Sequence, residues 1–142
     1  MTIDPALALL RAMEAALRAS PAVASAMGGA ARVYCMSAPH DAPFPHIVIG
    51  EDQVIGEDTE CLASSEVYST LHIWSRVEDD VSASRAEALT IAGAIRSMMR
   101  TYLTLEGFQN TVQGFEDARH LVDADGLTAH SVVTFRFLLD PA

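Results

Sequence analysis

The sequence predicts one α+β domain, residues 1–142, with a mostly antiparallel sheet that has helices packed on one face. Two segments place apolar residues at helical spacing, and the segments between and after them alternate or run apolar as strands do. The order helix, strands, helix, hairpin is typical of an α+β sheet. Half of the 142 residues are hydrophobic, enough to bury a core without metal or disulfides. The chain shows no repeat, low-complexity tract or linker that would divide it.

The first helix has a clear start. Asp4 suits the N-cap, and Pro5 suits the first helical position because its missing N–H is not needed there. After an interruption at Ser20-Pro21, a short helical turn over residues 23–27 stops at Gly28-Gly29. The face of the first helix expected to be buried consists of Leu7, Leu10 and Met13, with Ala6 and Leu17 beside them.

The next third of the chain reads as strands. Residues 32–36 predict a short strand, and the prolines within residues 37–45 predict an extended connector. Residues 46–54 predict a second strand, whose Ile47-Val48-Ile49 run indicates burial on both faces. Residues 56–65 are too polar for the core and predict an exposed loop or hairpin tip.

Residues 66–76 alternate in the way of a half-buried strand. One face carries Val67, Leu71 and Ile73. The other carries Tyr68, His72 and Trp74. Because a layer of helices covers only one side of a sheet, we expect this second face to need a partner, and a self-associating ring would supply one.

A long helix is predicted next, with Ser82 and Ser84 as possible caps and an end near Leu103. The late Arg96 and Arg100 suit the negative end of the helix dipole. Its predicted apolar stripe consists of Ala88, Ile91, Ala92, Ile95, Met99 and Tyr102.

The last third predicts a hairpin of two long strands. Residues 109–122 lead into a turn at residues 123–126, and residues 127–139 return. In the returning strand Thr134 and Arg136 share one face. The opposite face carries Val133, Phe135, Phe137 and Leu139.

Charge and composition limit the classes of partner. The net charge is −10, from 19 acidic residues against nine arginines and no lysine, which opposes tight binding to nucleic-acid phosphates. It still permits DNA to pass nearby, because an acidic wall repels DNA. No apolar run approaches the ~20 residues of a membrane span, and no signal peptide is visible, so we expect a soluble product of the cytoplasm without membrane contact. Cys35 and Cys61 are therefore expected to be reduced thiols.

Candidate chemistry is sparse. His72, His120 and His130 fall on predicted strands, but HxH, HExxH and CxxC spacings are absent, so we expect neither a metal nor a cofactor. No G-x-S-x-G motif marks a nucleophile. The acidic residues after the second strand lack the pattern of a calcium loop, and they predict a solvated loop or an electrostatic contact surface. This acidic set consists of Glu51, Asp52, Glu57, Asp58 and Glu60. No catalytic residue is predicted.

The chain resembles the small tail-terminator, or tail-completion, proteins of long-tailed phages and gene transfer agents. The resemblance runs over nearly the whole chain, and the proline-flanked strand followed by the HIWSR-like strand is its most specific part. The Ala- and Arg-rich, Lys-free composition is most similar to the gene-transfer-agent branch. The segments that carry the resemblance are residues 32–34, 42–51, 71–76, the helix from Ser84, 125–130 and 133–136.

This resemblance implies a structural virion protein with no catalytic residues. It implies a ring, usually of six copies, at the head-proximal end of the tail, which stops growth of the tube and joins it to the head connector. Its partners would be the tail tube protein and the connector, with DNA passing through the opening without specific binding. The Glu51–Ser65 loop is then expected to contact the tube or connector. The residues expected to join subunits are Trp74, Arg76, Arg119 and Arg136.

Two other functions remain open at this point. A dimeric α+β ligand-binding module would have two copies and a concave apolar pocket between helix and sheet. A small enzyme with His72 or His130 as base would have a deep pocket and a histidine of perturbed pKa.

Overall fold

The computed structural model describes residues 3–59 and 62–142. Within these residues, three helices lie on one face of a five-stranded sheet. The strand order is β1-β2-β3-β5-β4, and only the β1–β2 pair is parallel. The predicted α+β class is therefore confirmed. In chain order the elements are α1 Pro5–Ala19, α2 Pro21–Ala26, β1 Val33–Cys35, β2 His46–Asp58, β3 Ala63–Ser75, α3 Val81–Met98, β4 Phe108–Val122 and β5 Ala129–Pro141.

Helix α1 starts where the sequence predicts and buries a different stripe. The Asp4 carboxylate accepts a hydrogen bond from the Ala6 backbone N–H at 2.8 Å, which confirms the N-cap. Leu7, however, is 40 % exposed and Leu10 is half-buried. The stripe spaced four residues apart faces the sheet because it follows the 3.6-residue period more closely. The buried residues of α1 are Ala8, Leu9, Met13 and Leu17.

Helix α2 lies where the sequence predicts it, and a second N-cap separates it from α1. The Ser20 hydroxyl accepts from the Val23 N–H at 3.2 Å, and Pro21 takes the first helical position. The helix stops at Gly28 and Gly29, whose φ angles of +86° and +124° lie in the region that glycine tolerates.

Helix α3 begins at a different cap and ends earlier than predicted. Asp80 is the N-cap, and its carboxylate accepts from the Ala83 N–H at 3.0 Å. Ser84 instead donates to the Asp80 carbonyl and accepts from the Val77 N–H, which ties the preceding loop to the helix. Because α3 ends at Met98, Tyr102 lies outside the helix and is 49 % exposed.

The β2–β3 hairpin is longer than its polar sequence suggests. Gly56, Glu57 and Asp58 pair with residues of β3, so most of the segment predicted as a loop is strand. Exposed polar residues still pair their backbones when the neighbouring strand continues beside them. The connection beyond Asp58 is correspondingly short.

The core lies between the helices and one face of the sheet, here called the core face. It includes the predicted set Val67, Leu71 and Ile73 of β3, with alternate residues of β2 and β5. The opposite face, here called the open face, carries Trp74 and the even-numbered residues of β3 and β5. The Ile47-Val48-Ile49 run is buried on both faces, as predicted. No helix in the described residues is long and apolar enough to cross a membrane.

Gln113 of β4 anchors the segment that follows α3. Its Nε2 donates to the carbonyls of Met99 (2.6 Å) and Thr101 (3.0 Å). Its Oε1 accepts from the Leu103 N–H and from Asn110 Nδ2, both at 2.8 Å. This buried amide satisfies backbone groups at the end of the helix, which explains why α3 stops before Leu103.

Replacing Gln113 by Ala should lower the free energy of unfolding by about 2–4 kcal/mol, because it leaves several backbone groups without partners. Urea unfolding monitored by circular dichroism measures this. Gln109→Ala, at an exposed position of the same strand, is the control and should cost less than about 0.5 kcal/mol. Equal losses in the two variants would contradict this role of Gln113.

Candidate interaction surface

The open face carries a line of contacting side chains across β2, β3 and β5. Trp74 and His130 are cross-strand partners, and their rings stack with centroids 3.7 Å apart and planes 11° from parallel. His72 Nδ1 lies 2.8 Å from His130 Nε2, so one nitrogen donates and the other accepts. Glu51 Oε1 lies 3.5 Å from the other ring nitrogen of His72. We call these four residues the His–Trp array.

The backbone of β2 makes room for this array. A Cβ atom on Gly50 would lie 2.7 Å from His72 Cδ2, closer than side chains allow. The register of β2 against β3 also shifts between Ile49 and Asp52, as in a β-bulge. Glycine and the irregular register together bring Glu51 beside the imidazole.

An open groove of about 660 Å³ runs beside the array. The connector before β2 forms one wall, where Met36 is 70 % exposed and Phe44 is 41 % exposed. Burial lowers the pKa of His130 below its ordinary value, and the neighbouring His72 acts in the same direction. The enzyme alternative predicts a perturbed histidine in a deep pocket, whereas this groove is broad and open to solvent.

A second hollow, of about 460 Å³, lies between the end of α3 and β4. The Arg96 guanidinium lies 3.8 Å above the Phe115 ring in its wall. Arg100 and Gln113 also line it. The ligand-binding alternative predicts an apolar pocket in this position, and these polar groups do not match that prediction.

Two of the four predicted interface residues are held within the chain. Arg76 lies 3.0 Å from Asp79 and 3.4 Å from Asp125, so it joins the loop after β3 to the β4–β5 turn. Arg136 pairs with Glu66 at 2.6 Å across β3 and β5. That pairing raises the pKa of Arg136.

Arg119 differs from these two arginines. It is exposed on β4 and lies opposite Val132 on the open face. Its guanidinium makes no hydrogen bond or ion pair with another described residue. The structure thus places Trp74, Arg119 and Arg136 on one face, with Arg76 at its end.

The acidic residues do not form one cluster. Glu51 belongs to the array, while Asp52 lies opposite Ser69 on the core side of the hairpin. Partial burial raises the pKa of Asp52; the Ser69 hydroxyl opposes this effect and the charge of Glu51 adds to it. Glu57 and Asp58 lie about 17 Å further along the strand, at its exposed end. Glu60 lies outside the described residues.

No group of three or more His, Cys, Asp or Glu side chains among the described residues could hold a metal ion. The array is a line in which each imidazole binds the next group, so its nitrogens do not converge on one point. Cys35 is an exposed free thiol, and Cys61 lies outside the described part of the chain.

Comparison with known proteins decides the family. The model of the family described as Tail completion protein gp17 matches residues 11–140. The chain belongs to this family. It is a tail completion protein, a component of the virion tail.

Individual relatives agree with this assignment. The tail completion protein gp17 of Bacillus phage SPP1 is 28 % identical over 102 residues, which cover 70 % of this chain and 71 % of the relative. Two solved structures share the fold. A chain of the native gene transfer agent virion has a TM-score of 0.83 at 19 % identity and covers 98 % of this chain and 99 % of its own. The SPP1 gp17 structure has a TM-score of 0.59 at 23 % identity, with 92 % and 88 % covered.

Sequence reasoning placed Trp74 on the open face of this tail completion protein but missed its stack. The signal was present, because His72, Trp74 and His130 all occupy even positions of two predicted neighbouring strands. What was missing was the register that sets Trp74 opposite His130.

Asp125 is a second residue that sequence reasoning missed. It was predicted only as part of a turn, yet its carboxylate accepts from the Thr128 hydroxyl and from the N–H groups of Leu127 and Thr128. These bonds lower the pKa of Asp125 to about 2. It therefore stays charged beside Arg76 and fixes that end of the open face.

The tail completion protein should lose stability as the pH falls from about 7 toward 5. Burial lowers the pKa values of His46, His120 and His130, so the unfolded chain binds protons that the folded chain excludes. The stability that depends on these neutral histidines is fully present above the pKa of an unfolded histidine, near 6.5. It declines as the pH falls from there through the lower pKa values of the folded state. Urea unfolding at several pH values measures the slope.

His130→Gln should flatten this pH dependence, and His40→Gln, on the exposed connector, should leave it unchanged. Identical slopes in wild type and His130→Gln would contradict the assignment to His130.

Proposed function

We propose that copies of this tail completion protein, six in number, close into a ring at the head-proximal end of the tail. The ring stops polymerisation of the tube and joins it to the head connector, and DNA passes through its opening. The observation that carries this proposal is the open face, which no helix among residues 3–59 and 62–142 covers. Because the chain belongs to the tail completion family, we infer that the partner of this face is a component of the virion tail.

The composition of the open face supports contact with another protein. It presents a stacked aromatic pair, the exposed cation Arg119 and the exposed apolar rim of the groove. Aromatic residues and arginine are the types that most often anchor protein interfaces. A ring gives every copy the same neighbours and so covers the same surface in each.

We assign Trp74, Arg76, Arg119 and Arg136 to the junction between subunits, in two different roles. Arg76 and Arg136 already have carboxylate partners, so they shape the face and hold its elements together. Arg119 offers its donors outward. A carboxylate of a neighbouring copy would satisfy them.

We assign the acidic hairpin to contact with the tube or connector. Glu57 and Asp58, with Glu60 beyond them in the sequence, are at the exposed end of β2. Glu51 and Asp52 at its base would support that contact. Exposed carboxylates at the end of a strand suit an axial contact because they can pair with opposite charges on a partner.

The net charge of −10 supports a channel through which DNA slides. Binding to DNA phosphates depends on clustered positive charge, and an acidic lumen repels them. The ring would therefore guide DNA without retaining it.

Native mass spectrometry tests the assembly. Wild-type protein should give the mass of six copies, and Arg119→Glu should reduce the hexamer fraction because it places a negative charge against the neighbour's acidic surface. Arg11→Glu on the outer side of α1 makes the same change of charge as a control and should leave the hexamer intact. A wild-type mass of two copies would instead favour the ligand-binding dimer.

Particles made without this protein test the role in the tail. Tails of uncontrolled length that fail to join heads would agree with the proposal. Particles of normal tail length with heads attached would contradict it.

A further inference from the structure

Apart from the short outer strand β1, two longer strand edges of the sheet have no partner among the described residues. Strand β4 is the last strand on one side and pairs only with β5. On the other side, β1 pairs with β2 only as far as Ile49, so β2 from Gly50 to Asp58 has β3 alone as a neighbour. An unpaired edge presents backbone N–H and C=O groups that can extend a sheet into another chain.

Both bare edges also expose apolar side chains. Val54 and Ile55 of β2 are 45 % and 37 % exposed, and Leu121 and Val122 of β4 are each 46 % exposed. Ile55 and Leu121 point to the open face, as their neighbours Glu66 and His130 do. Val54 and Val122 point to the core face, opposite Val67 and Ala129.

The strand directions allow the two edges to pair. Each neighbouring pair from β2 through β3 and β5 to β4 is antiparallel, so β4 runs opposite to β2. The β4 edge of one copy can therefore pair in the antiparallel direction with the β2 edge of the next copy. The helices of both copies then lie on the same side of the extended sheet.

We propose that β4 of each subunit pairs with β2 of its neighbour in one register, with Leu121 opposite Ile55 and Val122 opposite Val54. This proposal rests on the proposed ring and names the surface that closes it. The same register sets Arg119 opposite Glu57, both on the open face, so Glu57 belongs to the subunit junction and Asp58 is left for the tube or connector. All four exposed apolar side chains and the outward-facing arginine then find matched partners.

The register is selective because side chains alternate in strands. A slip by one residue would set Leu121 opposite Val54 or Gly56 and place their side chains on opposite faces. In the proposed register Asp117 of one copy lies past Asp58, the last residue of β2, of the next copy. The long hydrogen bond of 3.4 Å from Arg85 to the His120 carbonyl would be replaced by the neighbouring strand.

The two edges belong to opposite sides of each copy, so the contact is head-to-tail. A contact of this kind closes into a ring if the rotation between copies divides a full turn. Each copy then contributes one β2 edge and one β4 edge to the ring.

Disulfide trapping tests the register. Ile55→Cys with Leu121→Cys should cross-link neighbouring copies on mild oxidation, in a background with Cys35→Ser and Cys61→Ser. Opposed Cβ atoms in antiparallel strands lie about 4.5–5.5 Å apart, near the range that a disulfide needs. Within one chain β2 and β4 are three strand spacings apart, and Leu121 lies level with His46, far along β2 from Ile55, so only an intermolecular bond can form.

A matched control changes only the face. Val54→Cys with Leu121→Cys uses adjacent positions of similar exposure whose side chains point to opposite faces. It should give at least about tenfold less cross-linked product than the Ile55 pair. Val54→Cys with Val122→Cys should cross-link on the core face as the Ile55 pair does on the open face.

Native mass of the same samples separates this proposal from the ring itself. Hexamers that cross-link in the Ile55–Leu121 and Val54–Val122 pairs support both the ring and the edge pairing. Hexamers without these cross-links overturn the edge pairing and leave the ring standing. Register-specific cross-links in assemblies other than hexamers support the edge pairing and contradict the sixfold ring. Monomers without cross-links overturn both.

Discussion

The one-sided cover of the sheet is the constraint on which the rest of this structure depends. All three helices of the described chain pack on the core face, where the apolar positions of β2, β3 and β5 meet Leu9, Met13 and Ile91. Burial of that face supplies the main favourable free energy of folding. The other face must then be stable in water while it keeps side chains suited to a partner. Its aromatic rings stack on one another, and its charges pair or remain at its rim.

The His–Trp array shows how that compromise is met. Trp74 covers part of its surface with the His130 ring, and His72 connects His130 to Glu51. His72 and His130 share a hydrogen bond within the chain, yet the rings remain part of an open groove. Gly50 is required because a larger residue would collide with His72. The array is thus a rigid surface made in advance, which reduces the entropy lost when a partner binds.

Charge is divided between two ends of the molecule. Asp125 and Arg76 fix the end of the open face near the β4–β5 turn, and the exposed acids of β2 mark the hairpin. Paired charges stabilise the shape of the domain, whereas unpaired charges are available to neighbours.

The sequence by itself determined the class of fold, the order of elements, the face of β3 that holds Trp74 and, through resemblance, the family. These depend on local periodicity, capping residues and turn residues, all of which are readable along the chain. It did not determine that α1 buries Leu9 in place of Leu7 or that Trp74 stacks on His130. It also did not determine where α3 ends, which depends on the hydrogen bonds from Gln113 to the backbone carbonyls after the helix. Each depends on contacts between residues far apart in sequence. Strand register above all decides which side chains meet, and only the tertiary structure sets that register.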